Sequence, residues 1–275
     1  MRRLAAFAGA LMAIVATTGR ASAQEPVRLY AAGSLRTALT EISGLFEAKH
    51  GLRVAGTFGA SGLLRDRIAG GEAAELFASA NMEHPAMLAA AGRAEPVVLF
   101  ARNQLCAIAK AGLAVSGDTL LTRMLDPAVK LGTSTPRADP SGDYAWALFA
   151  RAERVLVGAR ATLESKALTL TGGPTSPPPP AGRSVYAMNV VAGNADIFLA
   201  YCTAAAEAKA EVPALQIVAI PPALAVGADY GLALMRGARP EAARLAMFVL
   251  SPDGQAVLRK HGFAAPGLPQ EETRP

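Results

Sequence analysis

The sequence has little of what metal-binding and catalytic proteins need. Its 275 residues include two cysteines and one tryptophan, and only 5% are aromatic. The three histidines, His50, His84 and His261, stand in polar surroundings without metal-ligand spacing, and we expect all three at the surface. P-loop and C-x-x-C motifs are missing, and no histidine is evidently paired with a serine nucleophile. Without a candidate general base, we do not expect an enzyme.

Clusters of basic residues are missing as well. The formal net charge is +5, but Arg2, Arg3 and Arg20 lie within the first 23 residues, and without them the charge falls to +2. A nucleic-acid-binding protein usually carries lysine and arginine on one continuous face. We therefore expect no nucleic-acid partner.

Residues 1–23 have the layout of a secretory signal peptide. A charged start, MRR, precedes the apolar run LAAFAGALMAIVATT, and Ala21-Ser22-Ala23 forms a small-residue cleavage site. No later stretch reaches the roughly 18 uninterrupted apolar residues of a membrane-spanning helix. No lipid-attachment cysteine lies near the cleavage site. We expect an exported protein that is free in the periplasm.

The two cysteines, Cys106 and Cys202, lie in the apolar, strand-like stretches NQLCAIA and IFLAYCT. In an oxidising compartment such a pair can form a disulfide. Two buried free thiols are the alternative, because a sequence does not contain the distance between the Cα atoms. We favour the disulfide.

Strand-like and helix-like segments alternate along the chain, which is typical of βαβ units with a mainly parallel sheet between helices. We predict an α/β fold of two lobes, with mainly parallel sheets flanked by helices and a ligand cleft between the lobes. Lobe 1 would comprise residues 24–103 plus 223–275, and lobe 2 residues 104–222. The predicted strands include 27–32, 52–58, 74–80, 96–110, 130–136, 195–203 and 215–221. The predicted helices include 35–51, 62–71, 83–93, 142–155, 161–170 and 185–194, and two more over 240–263.

Small residues and serines stand at four predicted strand-to-helix turns. They are Gly33-Ser34, Ala60-Ser61-Gly62, Pro140-Ser141-Gly142 and Gly182-Arg183-Ser184. A helix N-terminus offers unpaired N–H groups and a partial positive charge, so it attracts anions. Each turn alone is more often an ordinary cap. Four together favour a shared anion site, and Tyr201, at a strand end, could add a hydroxyl, although an ordinary buried tyrosine is the alternative.

Residues 29–88 resemble the N-terminal half of the periplasmic molybdate-binding proteins of ABC transporters. That family reads A-A-x-S-L, F-x-x-x-x-G-x-x-V, F-x-x-S-G and I-x-x-G-x-x-A-D-x-F-x-S-A. The matching residues are Ala31, Ala32, Ser34, Leu35, Phe46, Gly51, Val54, Phe58, Ser61, Gly62, Ile68, Gly71, Ala74, Phe77, Ser79 and Ala80. Glu75 replaces the family's aspartate. DPSGDYAWALF, ADIFLAYCT and SPDGQAVLRKHGF resemble later family segments more loosely.

The resemblance implies a type II periplasmic binding protein fold, in which two α/β lobes close on a tetrahedral oxyanion. The family holds this anion with serine hydroxyls, helix N–H groups and a tyrosine hydroxyl, without a metal cation or another cofactor. Carried onto this sequence, the ligand-binding residues are Ser34, Ser61, Ser141, Arg183 and Tyr201. At Arg183 the family usually has an apolar residue that donates its N–H. Ser184 and Val185 are the alternatives at this position.

The orientation of the Arg183 side chain determines whether the ligand of this family can be expected for this protein as well. An outward-pointing side chain would leave only its N–H for molybdate or tungstate. A side chain that enters the cleft would add a permanent charge and admit other anions.

The predicted function is that of a monomeric periplasmic substrate-binding protein. It would bind molybdate or tungstate and deliver the anion to the membrane permease subunits of an ABC transporter. Alternatives are a binding protein for another small anion (sulfate-like, phosphonate or carboxylate), an exported serine hydrolase using Ser34 or Ser61, and a sensor or interaction module.

Overall fold

The computed structural model describes residues 24–177, 179–180 and 182–266. The predicted signal peptide, residues 1–23, lies outside these ranges. The strands are β1 (Val27–Ala32), β2 (Val54–Gly59), β3 (Leu76–Ser79), β4 (Val98–Ala109), β5 (Leu131–Ser134), β6 (Leu168–Thr171), β7 (Ile197–Tyr201), β8 (Gln216–Ala219) and β9 (Gly227–Leu234). The helices are α1 (Arg36–His50), α2 (Ser61–Ala69), α3 (Glu83–Ala90), α4 (Leu120–Leu125), α5 (Pro140–Val155), α6 (Ala159–Lys166), α7 (Val185–Val191), α8 (Cys202–Glu211), α9 (Pro240–Leu250) and α10 (Pro252–Lys260).

The long strand β4 is shared by two groups of strands. Residues 98–104 pair antiparallel with β9, and residues 105–109 pair antiparallel with β7 on one side and β8 on the other. We call β2-β1-β3-β9 with the first part of β4 the first sheet. The second part of β4 with β7, β5, β6 and β8 is the second sheet.

The parallel pairs lie away from the shared strand. They are β1 with β2, β1 with β3, β5 with β6, and β5 with β7. The antiparallel pairs all involve β4 or β9. The α/β fold class with parallel sheets flanked by helices is therefore confirmed. The lobe boundaries after residues 103 and 222 stay a prediction.

Local sequence explains the first helix well. Ala38, Leu39, Ile42 and Phe46 recur at helical spacing, and all four are buried. The helix ends where Gly51 adopts a φ of 68°, a left-handed conformation that glycine takes without steric cost. The predicted C-cap is confirmed.

One predicted helix is wrong over its second half. Of residues 161–170, only those up to Lys166 are helical, and residues 168–171 form β6. Ala167 is extended, and the alternating Leu-Thr-Leu-Thr that follows pairs in parallel with β5. Alternation with β-branched threonine favours a strand. The predicted strand 195–203 likewise ends at Tyr201, because α8 starts at Cys202.

Cys106 and Cys202 form a disulfide with a Cα–Cα distance of 4.8 Å, so the alternative of two free thiols is wrong. Cys106 lies within β4, and Cys202 is the first residue of α8, directly after Tyr201. The bond therefore ties the end of β7 to the strand that both sheets share.

Replacing both cysteines by alanine is expected to lower the free energy of unfolding by about 2–4 kcal/mol. The two residues lie 96 positions apart, so the disulfide strongly restricts the unfolded chain. Urea unfolding measures the effect, and reduced wild type serves as the comparison because it lacks the bond but keeps both side chains. A double variant as stable as the oxidised wild type would contradict the prediction.

Candidate functional site

Two predicted anion-binding turns lie together at one edge of the first sheet. Ser34 follows β1 in a short 3₁₀ turn, and Ser61 follows β2 as the first residue of α2. The strands are parallel neighbours, with Ala32 opposite Gly59, so both turns follow the same edge. The Ser61 Oγ accepts a hydrogen bond from the Ala80 N–H at 3.1 Å. Its own O–H remains available as a donor.

The second sheet repeats this arrangement. Ser141 is the second residue of α5, which follows β5, and Tyr201 is the last residue of β7. These strands are also parallel neighbours, so their carboxyl ends meet at one edge. Ligands in open α/β sheets usually bind beyond such edges. Both side chains are buried, with exposed fractions of 0% for Ser141 and 2% for Tyr201.

Three tyrosines connect the two edges; we call Tyr144, Tyr201 and Tyr230 the tyrosine cluster. The ring of Tyr201 lies 5.6 Å from that of Tyr230 and 6.2 Å from that of Tyr144, measured between centroids. The Tyr230 hydroxyl lies 3.0 Å from the Ser34 Oγ. The Tyr144 hydroxyl donates to the Ala80 carbonyl at 3.4 Å. Tyr230 thus links Ser34 of the first sheet to Tyr201 of the second.

A backbone hydrogen bond joins the same two regions. The N–H of Gly62, in the first turn of α2, donates to the carbonyl of Ala138 at 2.9 Å. Ala138 lies just before α5 and Ser141. The first-sheet and second-sheet turns are therefore in contact in this structure.

Several buried hydroxyls at the second-sheet edge have no hydrogen-bond partner among the described residues. They are Thr133 Oγ1, Ser134 Oγ, Ser141 Oγ and Tyr201 Oη. Ser134 is nevertheless close enough to Asp139, and Tyr201 to Tyr230, to lower the pKa of that neighbour. A buried polar group left unpaired costs about 1–3 kcal/mol, and most such groups in proteins are satisfied. Hydroxyls are the donors that an oxyanion accepts from. This concentration of them makes the edge the candidate ligand site.

The hydroxyls of the tyrosine cluster remain protonated at neutral pH. Burial raises the pKa of Tyr144 to about 12 and that of Tyr201 well above its ordinary value. Burial also raises the pKa of Tyr230. Uncharged O–H groups are therefore what this site can present to a ligand.

Asp139 brings the site a carboxyl group. It caps α5, where its Oδ1 accepts a hydrogen bond from the Ser141 N–H at 3.1 Å. Burial raises its pKa to about 6, and the nearby Asp143 carboxylate adds to this shift, whereas the Ser141 N–H lowers the pKa.

Arg183 lies outside this arrangement. Its exposed side chain pairs with Glu211 at 2.5 Å, and its N–H donates to the Pro180 carbonyl at 3.1 Å. Ser184 caps α7 by accepting from the Ala187 N–H. The edges that carry Ser34 and Ser61 and those that carry Ser141 and Tyr201 are thus linked through Tyr230 and Gly62. The Arg183 guanidinium is turned toward another helix.

The histidine prediction is wrong for His84, which is only 3% exposed. Its Nδ1 lies 3.2 Å from the Arg65 Nη1, because α3 packs beside α2. His261 contacts Glu41 at 2.8 Å. Among the described residues, no group of three His, Cys, Asp or Glu side chains could hold a metal ion. In the same ranges, no helix combines the length and apolar character needed to cross a membrane.

Sequence reasoning missed Tyr230 and its neighbour Asn103. Tyr230 lies in β9, where Ala228, Tyr230 and Leu232 are buried, while Asp229 is exposed. The alternation covers only residues 227–230, because Gly231 and Ala233 are buried as well, so the sequence gives a weak strand signal here. The Asn103 Nδ2 lies 3.4 Å from the Tyr230 hydroxyl.

The structure has two sheets that share one strand, and buried hydrogen-bond donors lie where the edges of the sheets face each other. This arrangement is typical of a protein that binds a small ligand. Residues 27–264 match the profile described as bacterial extracellular solute-binding protein, and the chain belongs to this family. The family's extracellular character implies a periplasmic location. The chain is also 37% identical over 239 residues to the uncharacterized protein PM1146 of Pasteurella multocida (strain Pm70), covering 86% of this chain and 98% of that protein.

Solved structures share the fold at low sequence identity. The sulfate-binding protein SubI from Mycobacterium tuberculosis H37Rv has a TM-score of 0.72 at 18% identity, covering 89% of this chain and 88% of its own. The periplasmic molybdate-binding protein of Azotobacter vinelandii has a TM-score of 0.68 at 18% identity, covering 89% of this chain and all of its own. These similarities support the fold, and they do not identify the ligand.

Proposed function

We propose that this protein captures a tetrahedral oxyanion, molybdate or tungstate, for the membrane permease of an ABC transporter. The observation that carries the proposal is the set of uncharged hydroxyl donors that meet where the two sheets face each other. Ser34 and Ser61 come from the first sheet, and Ser141 and Tyr201 from the second. An anion that bridges both sides would favour the closed arrangement of the sheets.

A neutral donor set suits a transport protein that must also release its ligand. Hydrogen bonds to an ion are stronger than bonds between neutral groups, so several hydroxyls can hold a dianion without a counter-charge. The molybdenum atom of molybdate is surrounded by its own four oxygens, so the side chains would contact oxygen alone. The pairing of Arg183 with Glu211 supports this reading, because it leaves the guanidinium away from the donor set.

Selection between anions would rest on size. Sulfate has the charge of molybdate in a smaller tetrahedron, and it would leave some donors of a molybdate-sized site unpaired. A site shaped for sulfate is the second candidate, favoured by the fold similarity to a sulfate-binding protein. Both candidates use the same residues for binding and neither is an enzyme.

Calorimetry with molybdate, tungstate, sulfate and phosphate tests the proposal on residues 24–275. We expect molybdate and tungstate to bind with Kd below about 1 μM and sulfate to give no response. Tighter binding of sulfate would favour the second candidate. The absence of binding with all four anions would refute an oxyanion-binding function.

Ser141→Ala and Tyr201→Phe are each expected to weaken molybdate binding about tenfold, since each removes one buried donor worth about 1–2 kcal/mol. Calorimetry or the fluorescence of Trp146, the single tryptophan, in α5 after Ser141, gives the Kd. Ser43→Ala is the matched control, because its hydroxyl bonds only to the Leu39 carbonyl within α1. Unchanged affinity in both site variants would remove these two residues from the site.

A further inference from the structure

Asp139 is the feature of the site that an anion-binding function does not explain. Its carboxyl group lies against the loop that follows β6, where a Cβ added to Gly172 would come within 2.5 Å of the Asp139 Oδ2. On its other side, the Oδ1 holds the Ser141 N–H. The carboxyl group is therefore fixed in place beside a residue of the donor set.

Hydrogen bonds from the Ser141 N–H and the Ser134 hydroxyl favour the ionised form of Asp139, but no positively charged side chain in the described ranges does so. Tyr201 of β7 and Tyr186 of α7 are near enough for Asp139 to raise the pKa of both hydroxyls. Asp143, on the same helix, is a second acid, and its carboxylate accepts from the Arg137 N–H at 2.7 Å. The described residues supply no lysine, arginine or histidine that lowers the pKa of Asp139.

We propose that Asp139 takes up one proton from the solvent when the oxyanion binds, so that the protein captures an anion and a proton together. This inference rests on the proposed oxyanion function. Asp139 would make the affinity of the site for the oxyanion depend on pH.

The charges determine the direction of the proton transfer. A dianion beside an ionised carboxylate would place like charges together in a buried site, which disfavours ionisation of the carboxyl group. Protonation of the carboxyl group removes this repulsion, while Oδ1 keeps the Ser141 N–H. The proton returns to solvent when the anion leaves, so charge and atoms balance.

The expected pH profile has one slope and one plateau. In this structure burial raises the pKa of Asp139 to about 6. Above this pH the carboxyl group is ionised and a proton must be taken up, so the Kd rises about tenfold per pH unit. Below it the carboxyl group is already neutral, and the Kd levels off.

The test is calorimetry with molybdate between about pH 6 and pH 8.5, repeated in two buffers of different ionisation enthalpy. The difference between the buffers counts protons, and we expect an uptake that approaches one per anion at the alkaline end. This measurement uses wild type and needs no variant.

Asp139→Asn provides the second arm, because asparagine also caps helices and can accept from the Ser141 N–H. We expect a flat pH profile and tighter binding than wild type at pH 8.5. Asp143→Asn is the matched control, and it should keep the slope. Binding that is independent of pH in wild type, or a slope that survives in Asp139→Asn, would overturn this inference alone. Absence of binding at every pH would overturn the proposed function with it.

Discussion

Replacing Gly62 by alanine is expected to weaken ligand binding by about a hundredfold. The new Cβ would lie 2.4 Å from the Arg137 carbonyl oxygen and 2.7 Å from the Ala138 carbonyl oxygen. Both obstacles are backbone atoms, which cannot rotate away as a side chain could. Overpacking of this kind costs up to about 3 kcal/mol, which corresponds to a factor of about 100 in affinity.

We expect this steric cost to disfavour the closed arrangement of the two sheets without preventing the protein from folding. Gly62 belongs to α2 beside the first sheet, and its hydrogen-bond acceptor Ala138 precedes α5 beside the second. The variant can relieve the clash by separating the two regions, because each sheet keeps its own helices. A ligand that bridges both regions must then overcome the steric repulsion between them, so its affinity is lower.

Calorimetry measures the affinity of Gly62→Ala, and small-angle scattering measures whether the ligand still compacts the protein. Gly44→Ala is the control, because an added Cβ in the middle of α1 meets nothing within 4 Å. We expect the control to bind like wild type. Equal affinities for the two variants would show that the Gly62 contact plays no part in binding.

The predicted binding turns could be read from the sequence because their signals are local. A run of small residues with a serine, placed between a strand and a helix, identifies the positions of Ser34, Ser61 and Ser141. Parallel neighbouring strands then bring the turns to common edges, as the pairings of β1 with β2 and of β5 with β7 show. The local sequence pattern and the sheet topology together are sufficient to predict where these turns lie.

The rest of the site depends on contacts between distant residues. Tyr230 meets Ser34 across 196 positions, and it lies in a strand whose two glycines weaken the strand signal. Arg183 turns away from the donor set because Glu211 of α8 is near enough to pair with it. Neither partner can be identified from spacing, so these placements required the folded structure.

Glu75, which departs from the aspartate of the molybdate-binding family, has a structural role in this chain. It lies just before β3 with 2% of its surface exposed. Its carboxylate accepts hydrogen bonds from the Arg239 side chain at 2.6 and 2.7 Å and from the Arg28 N–H at 3.0 Å. It thereby connects β1 and β3 with the start of α9.

Glu75→Ala is expected to lower the free energy of unfolding by about 3 kcal/mol at neutral pH, because removal of one partner leaves the other without its counter-charge. The hydrogen bonds from Arg239, which outweigh the effect of burial, lower the pKa of Glu75 to about 2. A carboxyl group whose pKa is lower in the folded state stabilises the protein above its ordinary pKa of about 4.5. This stabilisation is lost as the pH falls from about 4.5 to about 2.

Urea unfolding of wild type and Glu75→Ala between neutral pH and about pH 3 checks this prediction. The difference in free energy of unfolding should fall to about half at pH 3, because the native carboxylate is still mostly ionised there but the unfolded one is not. Glu95→Ala is the control, because its ion pair with Arg236 is 50% exposed on the glutamate side and such surface pairs add little. A Glu75→Ala effect that does not change with pH would show that lost packing, rather than the buried ion pair, destabilises the variant.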